Sequence, residues 1–357
     1  MILSAEAWHD TVSGQRRGLK GWVFRRSLGG ISVPYGLGVR VRNLLFDAGW
    51  KKSHRASVPI ISVGNLTLGG TGKTPCVEYI ARLLRQHDQQ VAILSRGYGA
   101  EGGRNDEAML LEENLPDVPH LQGRDRVALA ATAVEELESD VLVLDDGFQH
   151  RRLHRDLDIV LIDASNPWGF NRMFPRGALR EPVSGLKRAG LVMITRVDRA
   201  DDTAIQEIRR RVARYTDATI ALTVHEPIAL LTGDGSTEPI ESLRGATVAA
   251  FAGIGNPDAF RRTLETAGAT VVEFRVFPDH HGYTRADVDD LIRWASSQPA
   301  ETLIATTQKD MVKLRIAMLG DRPLRAVRIG LKFLEGRDAF DAKVLESLTL
   351  KHDEPRP

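Results

Sequence analysis

The chain has 357 residues, a formal net charge of +1 and 42% hydrophobic residues, which suits two compact domains at about 150 residues each and gives no overall pull toward nucleic acid. The single cysteine, Cys76, excludes an intramolecular disulfide and suits a reducing compartment. No run of about 18 apolar residues is present, and the N-terminus lacks a basic segment, apolar core and cleavage site in succession. Neither a membrane-spanning helix nor export is therefore expected, and the cytoplasm is the default.

Residues 1–57 carry ten basic side chains against three acidic ones, interleaved with Trp22, Phe24, Ile31, Val33, Leu37, Leu44 and Trp50. This mixture fits a surface that sinks into lipid headgroups, and it equally fits a helix packed on the body with a solvated basic face. Gly18, Gly21, Gly29, Gly30 and Pro34 are expected to interrupt any single long amphipathic helix here.

Residues 58–75 read as a buried strand, a glycine-rich loop and the first turn of a helix: a phosphate cradle. In Thr67-Leu68-Gly69-Gly70-Thr71-Gly72-Lys73-Thr74 the pattern G-x-x-x-x-G-K-[ST] is met except that Thr67 stands at the first glycine. The nucleotide-binding set is Thr67, Gly69, Gly70, Thr71, Gly72, Lys73 and Thr74. Backbone N–H groups from Gly69 to Gly72 are expected on the β-phosphate, Lys73 between the β- and γ-phosphates, and the Thr74 hydroxyl on Mg²⁺. Cys76 then falls on the following helix as a small buried hydrophobe.

Val77, Ile80, Ala81 and Leu84 give that helix one apolar face. A strand at 91–94 ends in Ser95-Arg96-Gly97-Tyr98-Gly99, a loop of the kind that holds ligands in open α/β sheets, and Asp106-Glu107 precede the apolar run 108–111. Gly123-Arg124-Asp125-Arg126 opens a helix to about Leu137, and the apolar strand 141–144 ends in Asp145 and Asp146. An acid at the end of a strand beside a phosphate loop holds Mg²⁺ through its waters. Strands at 158–163 and 191–195, alternating with helices, give a mostly parallel sheet covered on both faces. The loop from 164 to about 186 is long enough to serve function.

The pattern loosens over 224–245, the expected junction to a second, smaller α/β domain. There a strand at 247–251, a helix from Asp258 and a strand at 270–274 lead to Asp279-His280-His281. Thr284 and Asp287 can cap the next helix, and a strand at 302–306 runs into Thr307-Gln308-Lys309-Asp310. The expected organisation is a segment 1–57, a P-loop domain 58–230, a C-terminal domain 231–350 and a polar, disordered tail 351–357.

Over about residues 20–340 the chain resembles the tetraacyldisaccharide 4'-kinases, the lipid A 4'-kinases of Gram-negative bacteria. The resemblance rests on Gly64-Asn65-Leu66-Thr67 leading into Gly69-Gly70-Thr71-Gly72-Lys73-Thr74-Pro75, on Leu94-Ser95-Arg96-Gly97-Tyr98-Gly99, and on Asp106-Glu107. It continues through Asp145-Asp146-Gly147-Phe148-Gln149-His150, Leu179-Arg180-Glu181-Pro182, Asp279-His280-His281 and Thr307-Gln308-Lys309-Asp310. The displaced first glycine is itself a family trait. Departures are Asn105-Asp106-Glu107-Ala108 for Gly-Asp-Glu-Pro, and Gln308 for the usual glutamate.

The resemblance implies transfer of the γ-phosphoryl group of ATP to the 4'-hydroxyl of an acylated glucosamine disaccharide 1-phosphate, with Mg²⁺. It also implies a peripheral protein on the cytoplasmic face of the inner membrane, touched through residues 1–57. Asp106 is the implied general base, with His280 of the second domain orienting it and making catalysis depend on domain closure. Glu107 is to assist Mg²⁺ or the hydroxyl, so the metal set is Thr74, Asp145, Asp146 and Glu107. Arg180 is to clamp a phosphate or else to pair with Glu181. The rival is a P-loop GTPase or metallochaperone, suggested by Thr195-Arg196-Val197-Asp198, a near match to the guanine-reading [NT]-K-x-D.

Overall fold

Strands buried along their whole length must be covered on both faces, and the first of two units in this chain is built on such strands. The computed structural model describes residues 5–16, 18–97 and 106–349. In chain order the elements begin with α1 (Ala5–Ser13), α2 (Gly18–Asp47), β1 (Ile60–Asn65), α3 (Lys73–Gln86), β2 (Val91–Ser95), α4 (Asp106–Asn114) and β3 (His120–Gln122). They continue with α5 (Arg126–Glu135), β4 (Val141–Asp145), β5 (Leu157–Asp163), β6 (Leu191–Thr195), α6 (Asp202–Val212), β7 (Thr219–Thr232) and β8 (Thr237–Pro239). The last are β9 (Thr247–Ala252), α7 (Pro257–Thr266), β10 (Thr270–Val276), α8 (Arg285–Ser296), β11 (Leu303–Thr307), α9 (Gln308–Leu314), β12 (Met318–Leu319), β13 (Arg322–Glu335) and α10 (Arg337–Glu346).

The first unit draws its described residues from Met1–Arg96, Asp117–Val224 and Phe333–Pro357. Its sheet runs β3-β2-β4-β1-β5-β6, all parallel, with the start of β7 beside β6. Every residue of β1, β2, β4 and β6 is buried. Leu94, Ala130, Ala133, Leu142 and Leu144 belong to one apolar cluster, and Val160, Ile162, Val192, Ile194, Ile205 and Ile208 to another. Val63 of β1 pairs with Asp145 of β4, so the loop after β1 and the acids after β4 emerge side by side at the carboxyl ends of the strands. Cys76 on α3 is fully buried, as expected, and burial pushes its thiol well above the usual range.

The N-terminal segment departs from expectation. Despite its glycines and Pro34, α2 is one continuous helix of 30 residues. Proline deletes one helical donor, but bonds to the rest of the unit hold the helix on either side of it. Ser32 Oγ donates to Met173 O (3.1 Å), Tyr35 Oη to Arg180 O (3.0 Å) and Asn43 Nδ2 to Glu181 Oε2 (3.2 Å), while Asp47 pairs with Arg151 and Lys187. Leu19, Trp22, Ile31, Val33, Leu37 and Leu44 remain more than half exposed, as does Trp50 just past the helix. No described helix is long and apolar enough to cross a membrane.

The second unit draws on Gly97–Pro116 and His225–Lys332. Its parallel strands run β10-β9-β11-β13, with β8 antiparallel to the second half of β7 and β12 antiparallel to the start of β13. Phe251 of β9 meets Trp294 of α8 edge-on at 6.1 Å, and α8 opens with the expected Thr284–Asp287 capping box.

These limits differ from the expected 58–230 and 231–350. Residues 106–116 belong with the second unit because α4 buries Ala108, Leu110 and Leu111, and its Asn114 accepts from Gln308 of α9 (2.7 Å). The last described elements return to the first unit, where the ring of Tyr79 of α3 meets that of Phe333 at a tilt (4.9 Å) and its hydroxyl donates to Asp341 of α10 (2.8 Å). Tyr98, Gly99 and Asn105 of the expected motifs, and the tail 351–357, lie outside the described residues.

Candidate functional site

In the first unit, Gly72 caps α3 in the left-handed conformation (φ 90°) and Gly69 sits at φ 110°, backbone that side-chain-bearing residues avoid. A Cβ on Gly69 or Gly70 would meet nothing within 4 Å, so the loop leaves open space above its backbone. Thr71 is locked instead: its hydroxyl accepts from Asn65 Nδ2 (2.9 Å) and its carbonyl from Thr195 Oγ1 (2.9 Å). Thr67 is buried and bridges to Leu179, and Leu68 N donates to Ala178 O (2.7 Å). A tie to residues 178–179 thus holds the chain where a conventional loop has its first glycine. Thr74 lies in the first turn of α3, at the positive end of the helix.

Lys73 Nζ stands 3.4 Å from Asp146 Oδ1, and Arg180 reaches the same carboxylate at 2.7 and 2.8 Å. Burial pushes the Asp146 carboxyl up, but Lys73 and Arg180 outweigh it and hold it below the usual carboxylate range. Arg180 does not pair with Glu181. That glutamate is fully buried and takes Arg188 (2.8 Å), Gln149 (2.9 Å) and Asn43 (3.2 Å). Gly64 lets the chain after β4 pass close to β1, since a Cβ there would lie 2.6 Å from that of Phe148. Asp145 is buried at the end of β4. Three hard oxygen donors, on Thr74, Asp145 and Asp146, are the type Mg²⁺ takes. Among the described residues no three His, Cys, Asp or Glu side chains form a cation site.

Thr195-Arg196-Val197-Asp198 has other duties. Thr195 supports the phosphate loop, and Arg196, at φ 54°, is ion-paired with Asp163.

In the second unit, Asp106 opens α4, and its Oδ2 lies 2.9 Å from His280 Nδ1 and 2.9 Å from Lys313 Nζ. Burial pushes the Asp106 carboxyl up, and the bonds from Lys313 and His280 bring it net below the usual range, so it is ionised near neutrality. His280 is held at φ 57° with its side chain 65% exposed. His281 turns away, to Asp287 (3.2 Å) and between Phe277 and Tyr283. Asp106 and His280 share one unit, so their contact is made within it, whereas the expected division put Asp106 in the domain 58–230 and His280 in the domain 231–350. Glu107 lies beside Asp106 in the first turn of α4.

Sequence reasoning reached Asp310 through the motif Thr307-Gln308-Lys309-Asp310 but missed Lys313, and it also missed Arg188 and Asn43, which hold Glu181. The signal for Lys313 was present as Thr307-x-x-Asp310-x-x-Lys313, a helix cap followed by an acid and a lysine three apart on one helix face.

The family model described as Tetraacyldisaccharide-1-P 4'-kinase matches residues 24–349. The tetraacyldisaccharide 4'-kinase of Anaeromyxobacter sp. (strain Fw109-5) is 43% identical over 84% of this chain and 85% of its own. That of Anaeromyxobacter dehalogenans (strain 2CP-C) is 42% identical over 87% of each. Among solved structures, LpxK from Aquifex aeolicus in complex with ATP is similar at 31% identity and a TM-score of 0.74, covering 91% of this chain and 99% of that one.

Proposed function

The chain belongs to the tetraacyldisaccharide-1-P 4'-kinase family, and from that premise we propose how its own residues divide the work of moving the γ-phosphoryl group of ATP onto a disaccharide hydroxyl. The observation that carries the assignment is the Asp106–His280 contact at 2.9 Å. It supplies a held, ionised carboxylate in a chain that also has a phosphate cradle.

Phosphoryl transfer has a loose transition state, so positioning and charge neutralisation dominate. The N–H groups of Gly69 to Gly72 hold the β-phosphate, with Thr71 fixing the loop and Thr67 anchoring its start. Lys73 exchanges Asp146 for the β- and γ-phosphates, and Arg180, beside it, neutralises charge on the transferring group. Thr74, Asp145 and Asp146 would hold Mg²⁺, which supplies further charge neutralisation and orients the phosphates. As the bond from the acceptor oxygen to phosphorus forms and the β–γ bridging bond breaks, Asp106 takes the hydroxyl proton. An ionised aspartate is a weak base for an alcohol, and exposed His280 completes the step by relaying that proton to solvent. Glu107 serves the hydroxyl side.

We further propose that α2 rests on the lipid surface from which the acylated substrate is drawn, at the cytoplasmic face of the inner membrane. Its exposed Trp22, Val33, Leu37 and Leu44, with neighbouring Lys20, Arg25, Arg26 and Arg40, support this. Flotation with anionic vesicles should be lost when Trp22, Leu37 and Leu44 become serine, and flotation as strong as wild type would remove this role.

The catalytic assignment is tested with ATP radiolabelled at the γ-phosphate. Label should appear at the 4' position of the lipid with wild type and be absent with Lys73→Ala and Asp106→Asn. Wild-type labelling by either variant removes that residue from the mechanism.

A further inference from the structure

Asp106 is held by two donors, and both fall on the same oxygen: His280 Nδ1 and Lys313 Nζ each lie 2.9 Å from Oδ2. Lys313 is the better anchored of the two, with its side chain 9% exposed against 65% for His280. An ammonium this buried needs compensating charge, and Lys313 has a second carboxylate, Asp310 Oδ1, at 4.0 Å. Asp310 is fully buried and cannot swing away. Its Oδ2 accepts from Thr307 Oγ1 (2.7 Å) and Gly253 N (3.0 Å). A chain of fixed groups therefore runs from the start of α9 through Asp310 and Lys313 to the Asp106 carboxylate.

A mere staple between α4 and α9 does not require this lysine, because Gln308 and Asn114 already join the two helices at 2.7 Å. The distinctive result of the lysine is which carboxylate oxygen is occupied. We propose that Lys313 is a positioning residue for the transfer reaction: by binding Oδ2 it fixes the Asp106 carboxylate in the orientation that leaves Oδ1 for the acceptor hydroxyl. Lys313 itself touches no reacting atom. The inference rests on Asp106 as the base and adds the element that aims it. A carboxylate free to rotate would present Oδ1 only part of the time, and small misplacements of reacting groups cost about 10²-fold in rate.

The test compares wild type with Lys313→Met, Lys313→Arg, Asp106→Asn and the Asp106→Asn/Lys313→Met double variant. The readouts are kcat, KM for both substrates, and the urea midpoint. Lys313→Met is expected to lower kcat about 10- to 100-fold with both KM values within about twofold of wild type, and Lys313→Arg to recover part of the loss. In the Asp106→Asn background Lys313→Met is expected to cost nothing more, since the two act as one unit. Wild-type kcat in Lys313→Met, or a full further loss in the double variant, overturns the proposal. Should Lys313→Met not fold, Lys313→Gln replaces it: Arg faster than Gln supports the role, and equal rates overturn it. Wild-type kcat in Asp106→Asn would instead sink the assignment of the base, a different failure.

Discussion

His280 Nδ1 lies 2.9 Å from Asp106 Oδ2, although 174 positions separate them in the chain. One unit supplies both, and its neighbour His281 is committed to Asp287 and two aromatic rings. His280→Ala is therefore expected to lower kcat about 10²-fold or more, the usual scale for a group in proton transfer. His281→Ala should act on the urea midpoint and leave kcat near wild type. Steady-state kinetics with a denaturation curve for each variant checks this, and the reverse pattern would exchange the two roles.

Arg180 and Lys73 share Asp146. With Lys73→Ala, ATP affinity and turnover should both fall, because the variant loses the cation expected between the phosphates. With Arg180→Ala, turnover should fall about 100- to 1,000-fold, the range for a group that acts mainly on transition-state charge, with ATP affinity changed only a few-fold. Calorimetric titration beside kcat separates the two.

Two glycines should fail in opposite ways. A Cβ on Gly253 would lie 3.0 Å from Asp310 Oδ1 and 3.1 Å from Tyr283 Oη, whereas one on Gly70 meets nothing within 4 Å. Gly253→Ala is expected to cost about 1–3 kcal/mol of stability, as overpacking does. Gly70→Ala should leave the melting temperature unchanged and weaken ATP binding, because the added methyl occupies space proposed for phosphate. Thermal melts with and without ATP test both.

His150 gives the fold an acid sensitivity. Burial, then Arg126, Arg152 and Arg155, push its imidazole down to about 4. The unfolded value is about 6.5, so His150 stays neutral in the fold while the unfolded chain takes up a proton. The stability this represents is full above about pH 6.5 and is lost progressively as pH falls toward 4. His150→Gln should flatten the fall of the urea midpoint between about pH 7 and 4; parallel curves for variant and wild type would contradict the assignment.

Much of this arrangement was legible because it is local. The cradle, the acids ending β4 and the cap of α8 are each written in consecutive or closely spaced residues. What was not legible depended on distant partners. The continuity of α2 through Pro34 depends on bonds to Met173, Arg180 and Glu181. The choice of Asp146 rather than Glu181 by Arg180 depends on Arg188 and Gln149 occupying the glutamate. The membership of α4 in the second unit depends on its buried face, and that membership is why Asp106 meets His280 within one unit. Lys313 was overlooked for a different reason: a lysine three residues after an aspartate looks like a solvated helix pair, and burial is what separates it from one.

The most direct measurement incubates the purified chain with ATP or GTP, Mg²⁺ and detergent-dispersed tetraacyldisaccharide 1-phosphate, and weighs the lipid by mass spectrometry. With ATP a lipid heavier by one phosphate is expected from wild type and none from Asp106→Asn. Hydrolysis of GTP with no heavier lipid, or equal product from Asp106→Asn, would contradict the account.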